Sequence, residues 1–196
     1  MCIRDSCNGD PDCAGLELVA GPVIYSIDID LTDGDGYDIT AQRHLNTMNV
    51  PSTANYRDGY TAVADMDLDG TLDIVVSSMR QTNQYGVYVW NKNGLIRFFP
   101  YPTNPINSGS LACIANVYDD TKHGYVVDFP EILVCSSYNL TCFNLHAAQV
   151  TPATPYWWNL PTSDFSGWTG STVYDFNADG ISEIVYRDES LSLIHI

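Results

Sequence analysis

Asp65-Met66-Asp67-Leu68-Asp69-Gly70-Thr71-Leu72-Asp73 runs straight into Ile74-Val75-Val76, and the pattern returns as Asp175-Phe176-Asn177-Ala178-Asp179-Gly180-Ile181-Ser182-Glu183 ahead of Ile184-Val185-Tyr186. Oxygen-bearing side chains fall at loop positions one, three, five and nine, with glycine at six. Alternating oxygens in a tight turn suit a hard cation such as Ca2+. The glycine lets the backbone reverse, so that the carbonyl at position seven can also face the ion. The candidate ligands are Asp65, Asp67, Asp69, Asp73 and the Thr71 carbonyl in one loop, and Asp175, Asn177, Asp179, Glu183 and the Ile181 carbonyl in the other. A helix-loop-helix calcium site needs a carboxylate at position twelve, where this chain has Val76 or Tyr186 inside an apolar run. Each loop is therefore expected to join two strands. One such copy could be an ordinary acidic turn; two copies leading into the same kind of strand point to a repeated metal loop.

The repeat extends beyond these loops. Glu17-Leu18-Val19, Asp73-Ile74-Val75, Glu131-Ile132-Leu133 and Glu183-Ile184-Val185 share an acidic residue followed by aliphatics, at spacings of 56, 58 and 52 residues. A period in the fifties fits four short antiparallel strands with their loops, the size of a propeller blade. In the second unit the expected strands are 61–65, 72–77, 86–91 and 95–99, with an Asn93-Gly94 hairpin turn before the last. In the third they are 111–117, 131–136, 140–145 and 156–160. In the first, Val23–Asp30 and Tyr37–Leu45 flank an acidic hairpin. A strand such as Val87-Tyr88-Val89-Trp90 is apolar without alternation, as expected where both faces are covered. A β-sandwich would account for the strands but not for the period.

The Asp-x-Asp-x-Asp-Gly-x-x-Asp loop leading into Ile-Val-Val, repeated at blade spacing, resembles FG-GAP/VCBS-type repeats, the integrin-α-like β-propellers of many secreted bacterial proteins. The motif is strong at 59–77 and 170–186. The resemblance implies an all-β fold, a partial β-propeller of four-stranded antiparallel blades, about three and a half blades of a ring that usually has seven in that family. The blade units are 7–58, 59–107, 108–166 and 167–190. It implies Ca2+ between the first two strands of a blade, carried by the ten residues named above. Glu183 departs from the family's Asp, and its extra methylene alters the reach for bidentate binding. The third loop, from Asn116 to Glu131, lacks the alternation, and the first, from Asp10 to Glu17, lacks an oxygen side chain at position five.

Both ends read as foreign to the protein. Met1–Ser6 can be encoded by ATG TGT ATA AGA GAC AGx and Leu191–Ile196 by CTG TCT CTT ATA CAC ATC, which are reverse complements and resemble a transposon-library adapter. Residues 1–6 and 191–196 are therefore expected to be adapter-derived, and 7–190 an internal piece of a longer chain. Five cysteines remain: Cys7, Cys13, Cys113, Cys135 and Cys142. Cys7 and Cys13 bracket the first loop and are candidates for a disulfide. A turn at Tyr138-Asn139 would set Cys135 opposite Cys142, within disulfide reach, and both pairs would indicate an oxidising compartment.

With 24 acidic against 8 basic residues the net charge is −16, which disfavours nucleic acid and anionic membranes, and no apolar run is long enough to span a bilayer. His44, His123 and His146 are scattered, and no Gly-x-Ser-x-Gly elbow, phosphate loop or Cys-x-x-Cys is present. Trp157, Trp158 and Trp168 are expected to pack between blades rather than to stack on sugars. The expected function is a non-catalytic binding or adhesion module of a secreted or cell-surface protein. Its partners would be a protein or glycan ligand and the remaining blades of its own chain. The rivals are part of a polysaccharide-lyase-type enzyme and a structural spacer.

Overall fold

The computed structural model describes residues 2–4, 16–20, 23–30, 38–44, 59–78, 86–91, 94–101, 109–123, 126–145, 158–190 and 193–195. Among these the chain is all-β, with one short 3-10 turn at Asp120–His123 and no α-helix. Strands follow one another as antiparallel meanders in four sheets. The first holds β1 (Cys2–Arg4), β2 (Leu16–Ala20), β3 (Val23–Asp30) and β4 (Asp38–His44); the second holds β5 (Gly59–Ala64), β6 (Asp73–Ser78), β7 (Gly86–Asn91) and β8 (Gly94–Pro100). The third holds β9 (Cys113–Ala115), β10 (Glu131–Ser136), β11 (Asn139–Asn144) and β12 (Trp158–Pro161); the fourth holds β13 (Thr172–Tyr174), β14 (Glu183–Arg187) and β15 (Leu193–His195). The acidic residue of each repeat stands at or next to the start of its sheet's second strand, so the period read from the sequence is the period of the sheets.

Side chains on a strand alternate between two faces, and here both faces are used. Ile74 and Val76 pack with Val19 of the first sheet, whereas Val75, Val87 and Val89 pack with Ile132, Val134 and Phe143 of the third. Leu133, Cys135, Leu140 and Cys142, from the other side of the third sheet, pack with Ile184 and Tyr186 of the fourth. Sheets two and three are thus covered on both sides, which explains why Val87-Tyr88-Val89-Trp90 is wholly buried. Truncating a residue such as Leu133 to Ala is expected to cost about 2–5 kcal/mol. Neighbouring sheets also approach through β2 and β5, β5 and β9, and β9 and β13. Tyr60 on β5 meets Trp168, ahead of β13, edge to face at 6.5 Å.

Two registers differ from the sequence reading. Asn91 pairs with Gly94, so Gly94, at φ 128°, opens β8 instead of lying in the turn. Ser136 pairs with Asn139, leaving Ser137-Tyr138 as the β10–β11 turn. Tyr138 takes φ 66°, its N–H donates to the Asp164 carbonyl at 2.6 Å, and its own carbonyl accepts from Thr162 N–H at 2.8 Å. This shift sets Cys135 opposite Leu140 and Cys142 opposite Leu133. The cysteines are then diagonal neighbours, roughly 7–8 Å apart and out of disulfide reach. Cys113, Cys135 and Cys142 are free thiols, which corrects the expected Cys135–Cys142 bridge. Cys7 and Cys13 lie outside the described residues.

Cys2–Arg4 and Leu193–His195, expected from the sequence to be foreign, pair as edge strands on β2 and β14. Ladder bonds are main-chain, so this pairing requires no particular side chain. Trp158 packs into the core between sheets three and four; Trp168, though 63% exposed, meets Tyr60 of the second sheet edge to face, and Trp157 lies outside the described residues.

Candidate metal centre

The two sequence loops close in the same way. In the second sheet's loop, Asp65 Oδ1 accepts from Asp69 N–H at 3.0 Å and its Oδ2 from Gly70 N–H at 2.9 Å, while Asp69 Oδ1 accepts from Thr71 N–H at 2.8 Å. In the fourth, Asp175 accepts from Asp179 N–H at 3.1 Å and from Gly180 N–H at 2.9 Å, and Asp179 Oδ1 accepts from Ile181 N–H at 2.9 Å. Gly70 and Gly180 take φ 88° and 93°, which glycine adopts without steric cost. Leu68 and Ala178 take φ 58° and 60°, left-handed conformations that the turn imposes on ordinary residues. The carboxylate at position nine closes each loop: Met66 N–H donates to Asp73 Oδ2 and Phe176 N–H to Glu183 Oε2, both at 2.8 Å.

Asp65, Asp67 and Asp73 converge, with one carboxylate oxygen from each lying within 4.8 Å of the others. Asp73 is fully buried, and its Oδ1 has no hydrogen-bond partner among the described residues. An unpartnered buried carboxylate oxygen beside two further carboxylates is costly unless a cation joins them. Burial first, and then the charges of Asp67 and Asp69 against the pull of backbone N–H groups, push the Asp73 pKa up to about 6. This donor set, all oxygen, fits a hard divalent ion such as Ca2+. Asp69 is not part of the three-carboxylate group; its Oδ1 is engaged by the N–H and hydroxyl of Thr71.

The fourth loop differs at the corresponding oxygen. Asn177 Oδ1 accepts from Asp179 N–H at 2.9 Å, and Asn177 Nδ2 donates to Glu183 Oε1 at 2.7 Å. Both Glu183 oxygens are therefore hydrogen-bonded, and the loop is exposed along most of its length. A cation there has to displace the amide. Lys122 lies close enough to Asp179 for that charge to add to the upward shift of its own pKa, which comes mainly from its 2.9 Å ion pair with Asp119.

The third sheet's loop keeps the closing bond, Val117 N–H to Glu131 Oε2 at 3.0 Å, and replaces the rest. Asn144 Nδ2 donates to Glu131 Oε1 at 2.7 Å and also reaches both oxygens of buried Asp120, at 3.3 and 3.2 Å. Asp128 accepts from Asp120 N–H at 2.9 Å and from Asn116 Nδ2. Glu131 is fully buried; burial above all, then Asp120 and Asp128, push its pKa up to about 8 against hydrogen bonds from Val117 and Asn144. The Asn144 amide thus occupies the place where the second loop has a bare oxygen, and burial favours the protonated form of Glu131.

Sequence reasoning placed Glu131 at position nine but missed Asp120, Asp128 and Asn144, which come from an irregular insert and the end of β11. It also missed Asp164, a buried carboxylate accepting from Gly167 N–H at 2.9 Å, Ser166 Oγ at 3.0 Å and Tyr186 Oη at 2.9 Å. Comparison with protein-family models, with curated proteins and with solved structures finds no match to this chain.

Proposed function

We propose that this chain is a calcium-stabilised binding or adhesion module, built as an arc of a β-propeller of the FG-GAP/VCBS type and acting outside the cell. The observation that carries the metal reading is the convergence of Asp65, Asp67 and Asp73 around a buried Asp73 oxygen without a hydrogen-bond partner. Support for the propeller reading comes from the sequential stacking of four meanders, from the approach of β5, β9 and β13, and from the Tyr60–Trp168 contact between sheets two and four. Wedge-shaped packing about a common axis brings first strands together in this way. With Ca2+ bound, the ion would link Asp65, Asp67 and Asp73 and tie the end of β5 to the start of β6.

The extracellular placement follows from the resemblance and implies a weak site. Extracellular calcium modules bind at about 10⁻⁴–10⁻³ M, a range filled outside cells and empty in cytosol. The free state of Cys135 and Cys142 removes the disulfide argument for that pair. Within the binding role, the ligand is a protein or a glycan. Calorimetric titration with CaCl2 tests the metal reading: wild type is expected to bind, and Asp67→Ala to lose the second-loop site. Absence of any heat or bound calcium at millimolar Ca2+ would refute it.

A further inference from the structure

Antiparallel strands turn at alternate ends of a sheet, and the metal loops, which follow β5 and β13, occupy one end. The β10–β11 turn, the β12–β13 loop and the start of β5 lie at the other. Four aromatic residues gather there. Tyr138 and Phe165 are 46% and 45% exposed, with ring centroids 5.6 Å apart and planes inclined at 60°. Trp168, more exposed still, meets Tyr60 edge to face. These rings sit at strand ends, around the third sheet and its neighbours, whereas stacking covers the faces of sheets. A further sheet against the fourth would leave this end open.

The backbone beneath the rings is braced. Tyr138 holds its left-handed conformation, φ 66°, between the Asp164 carbonyl and Thr162 N–H. Phe165 N–H donates to Glu189 Oε2, and its carbonyl accepts from Ser137 Oγ, both at 3.0 Å. Trp168 N–H donates to Ser166 Oγ at 3.2 Å, and that hydroxyl donates to Asp164 Oδ1 at 3.0 Å. Asp164, fully buried, also accepts from Gly167 N–H, Tyr186 Oη and Cys135 Sγ. A carboxylate inside the junction thus orders an exposed loop. Strained backbone held under exposed rings suits a binding surface, because the ordering cost is met before a ligand arrives.

We propose that this end binds a neutral glycan, with the C–H faces of sugar rings on Phe165 and Trp168 and sugar hydroxyls on the polar groups beside them. The inference rests on the reading of the chain as a binding module and chooses between its two ligand classes. Three features select a sugar. Ser166 and Thr169 alternate with Phe165 and Trp168 along the loop, so the surface changes from apolar to hydroxylic over the width of one ring, as a pyranose does. Asp188 and Glu189 flank the loop, anchored by Ser163 N–H at 3.1 Å and Phe165 N–H, and carboxylates accept from hydroxyl donors. The net charge of −16 repels acidic polysaccharides as it does other polyanions. A protein ligand anchored by apolar side chains needs a contiguous patch or pocket, which these interspersed rings do not make among the described residues.

Calorimetric titration of the full chain in excess Ca2+ tests it, with cellohexaose, xylohexaose, mannohexaose and maltohexaose as neutral probes and hexagalacturonate as the acidic one. At least one neutral probe is expected to bind, weakened about tenfold by Trp168→Ala and by Phe165→Ala, with Trp168→Phe keeping most of the affinity. Val126→Ala, at a residue 96% exposed in the β9–β10 connection at the metal-loop end, should leave binding unchanged. Circular dichroism of each variant separates lost binding from lost folding. Binding of no neutral probe, preference for the acidic probe, or affinity that neither alanine variant weakens each overturns the proposal. Capture of a peptide from a displayed random library by wild type but not by Trp168→Ala, with no sugar bound, assigns the rings to protein and overturns it too. Calcium binding without glycan binding leaves the metal reading standing, and glycan binding without calcium binding refutes the metal reading alone.

Discussion

The loops of sheets two and four share their hydrogen-bonding frame and differ at one atom. Asp73 Oδ1 is buried without a hydrogen-bond partner, whereas Glu183 Oε1 receives the Asn177 amide at 2.7 Å. The third loop gives a further solution, in which the Asn144 amide bonds Glu131 and burial favours its protonated form. A carboxylate at the mouth of a strand pair must be neutralised once it is buried, and an ion, an amide and a proton are alternative means. Only the first makes folding depend on calcium. Of the three loops, the second should therefore depend on it most.

The largest expected effect follows from taking the closing carboxylate's charge out of the second loop. Asp73→Asn keeps an acceptor for Met66 N–H and places an amide where Oδ1 lies bare. In Ca2+ at a hundredfold excess over the dissociation constant, it should forfeit most of the about 2.7 kcal/mol that one site adds. In EDTA above pH 6 it should be no less stable than wild type, because the ionised buried carboxylate is gone. Urea denaturation in both buffers measures the two differences; equal losses in both would mean that Asp73 serves packing alone.

Glu131 sharpens the contrast through pH. Its folded pKa, about 8, lies above the ordinary 4.5, so the folded state holds a proton that the unfolded state has released. The stabilisation is present below pH 4.5 and is lost as pH rises through 8, with a slope of at most about 1.4 kcal/mol per unit. Glu131→Gln should flatten that window while costing roughly 1 kcal/mol at pH 5, since its single amide oxygen cannot accept from both Val117 N–H and Asn144 Nδ2. Denaturation curves from pH 5 to 9 in saturating Ca2+ show whether the slope disappears.

Asn177→Asp gives the fourth loop the second loop's residue at position three. It removes the amide from Glu183 and adds a carboxylate, so calcium affinity at the fourth loop should rise about tenfold, or 1.4 kcal/mol. Titration calorimetry in an Asp67→Ala background isolates that site; unchanged affinity would show that the amide does not compete with the ion. The smallest effect should be equal in the two loops. An added Cβ at Gly70 or Gly180 meets nothing within 4 Å, so Gly→Ala there costs only the left-handed backbone, about 1 kcal/mol each. Unequal costs in EDTA would show that the shared frame is not shared in energy.

What was legible in the sequence was local. The spacing of Asp65, Asp67, Asp69, Gly70 and Asp73 dictates a turn whose bonds span at most seven residues, and the apolar runs after it dictate strands. The β10–β11 register was not legible, because Asp164 and Thr162, more than twenty residues downstream, hold Tyr138 in the turn. The Asp120–Asn144 contact is equally hidden, since 24 residues separate its partners. Trp168 misled in part: an indole suggests a core, but it sits on a loop organised by Asp164, mostly exposed and touching Tyr60 edge to face.

Thermal unfolding of the wild-type chain in excess Ca2+ and in EDTA, with elemental analysis of the dialysed protein, addresses calcium dependence most directly. A higher melting temperature in Ca2+, abolished in large part by Asp67→Ala, with calcium retained by the wild type, is the expected result. Equal melting temperatures with no calcium bound would show that the second loop is an acidic turn that tolerates a buried, unpartnered oxygen.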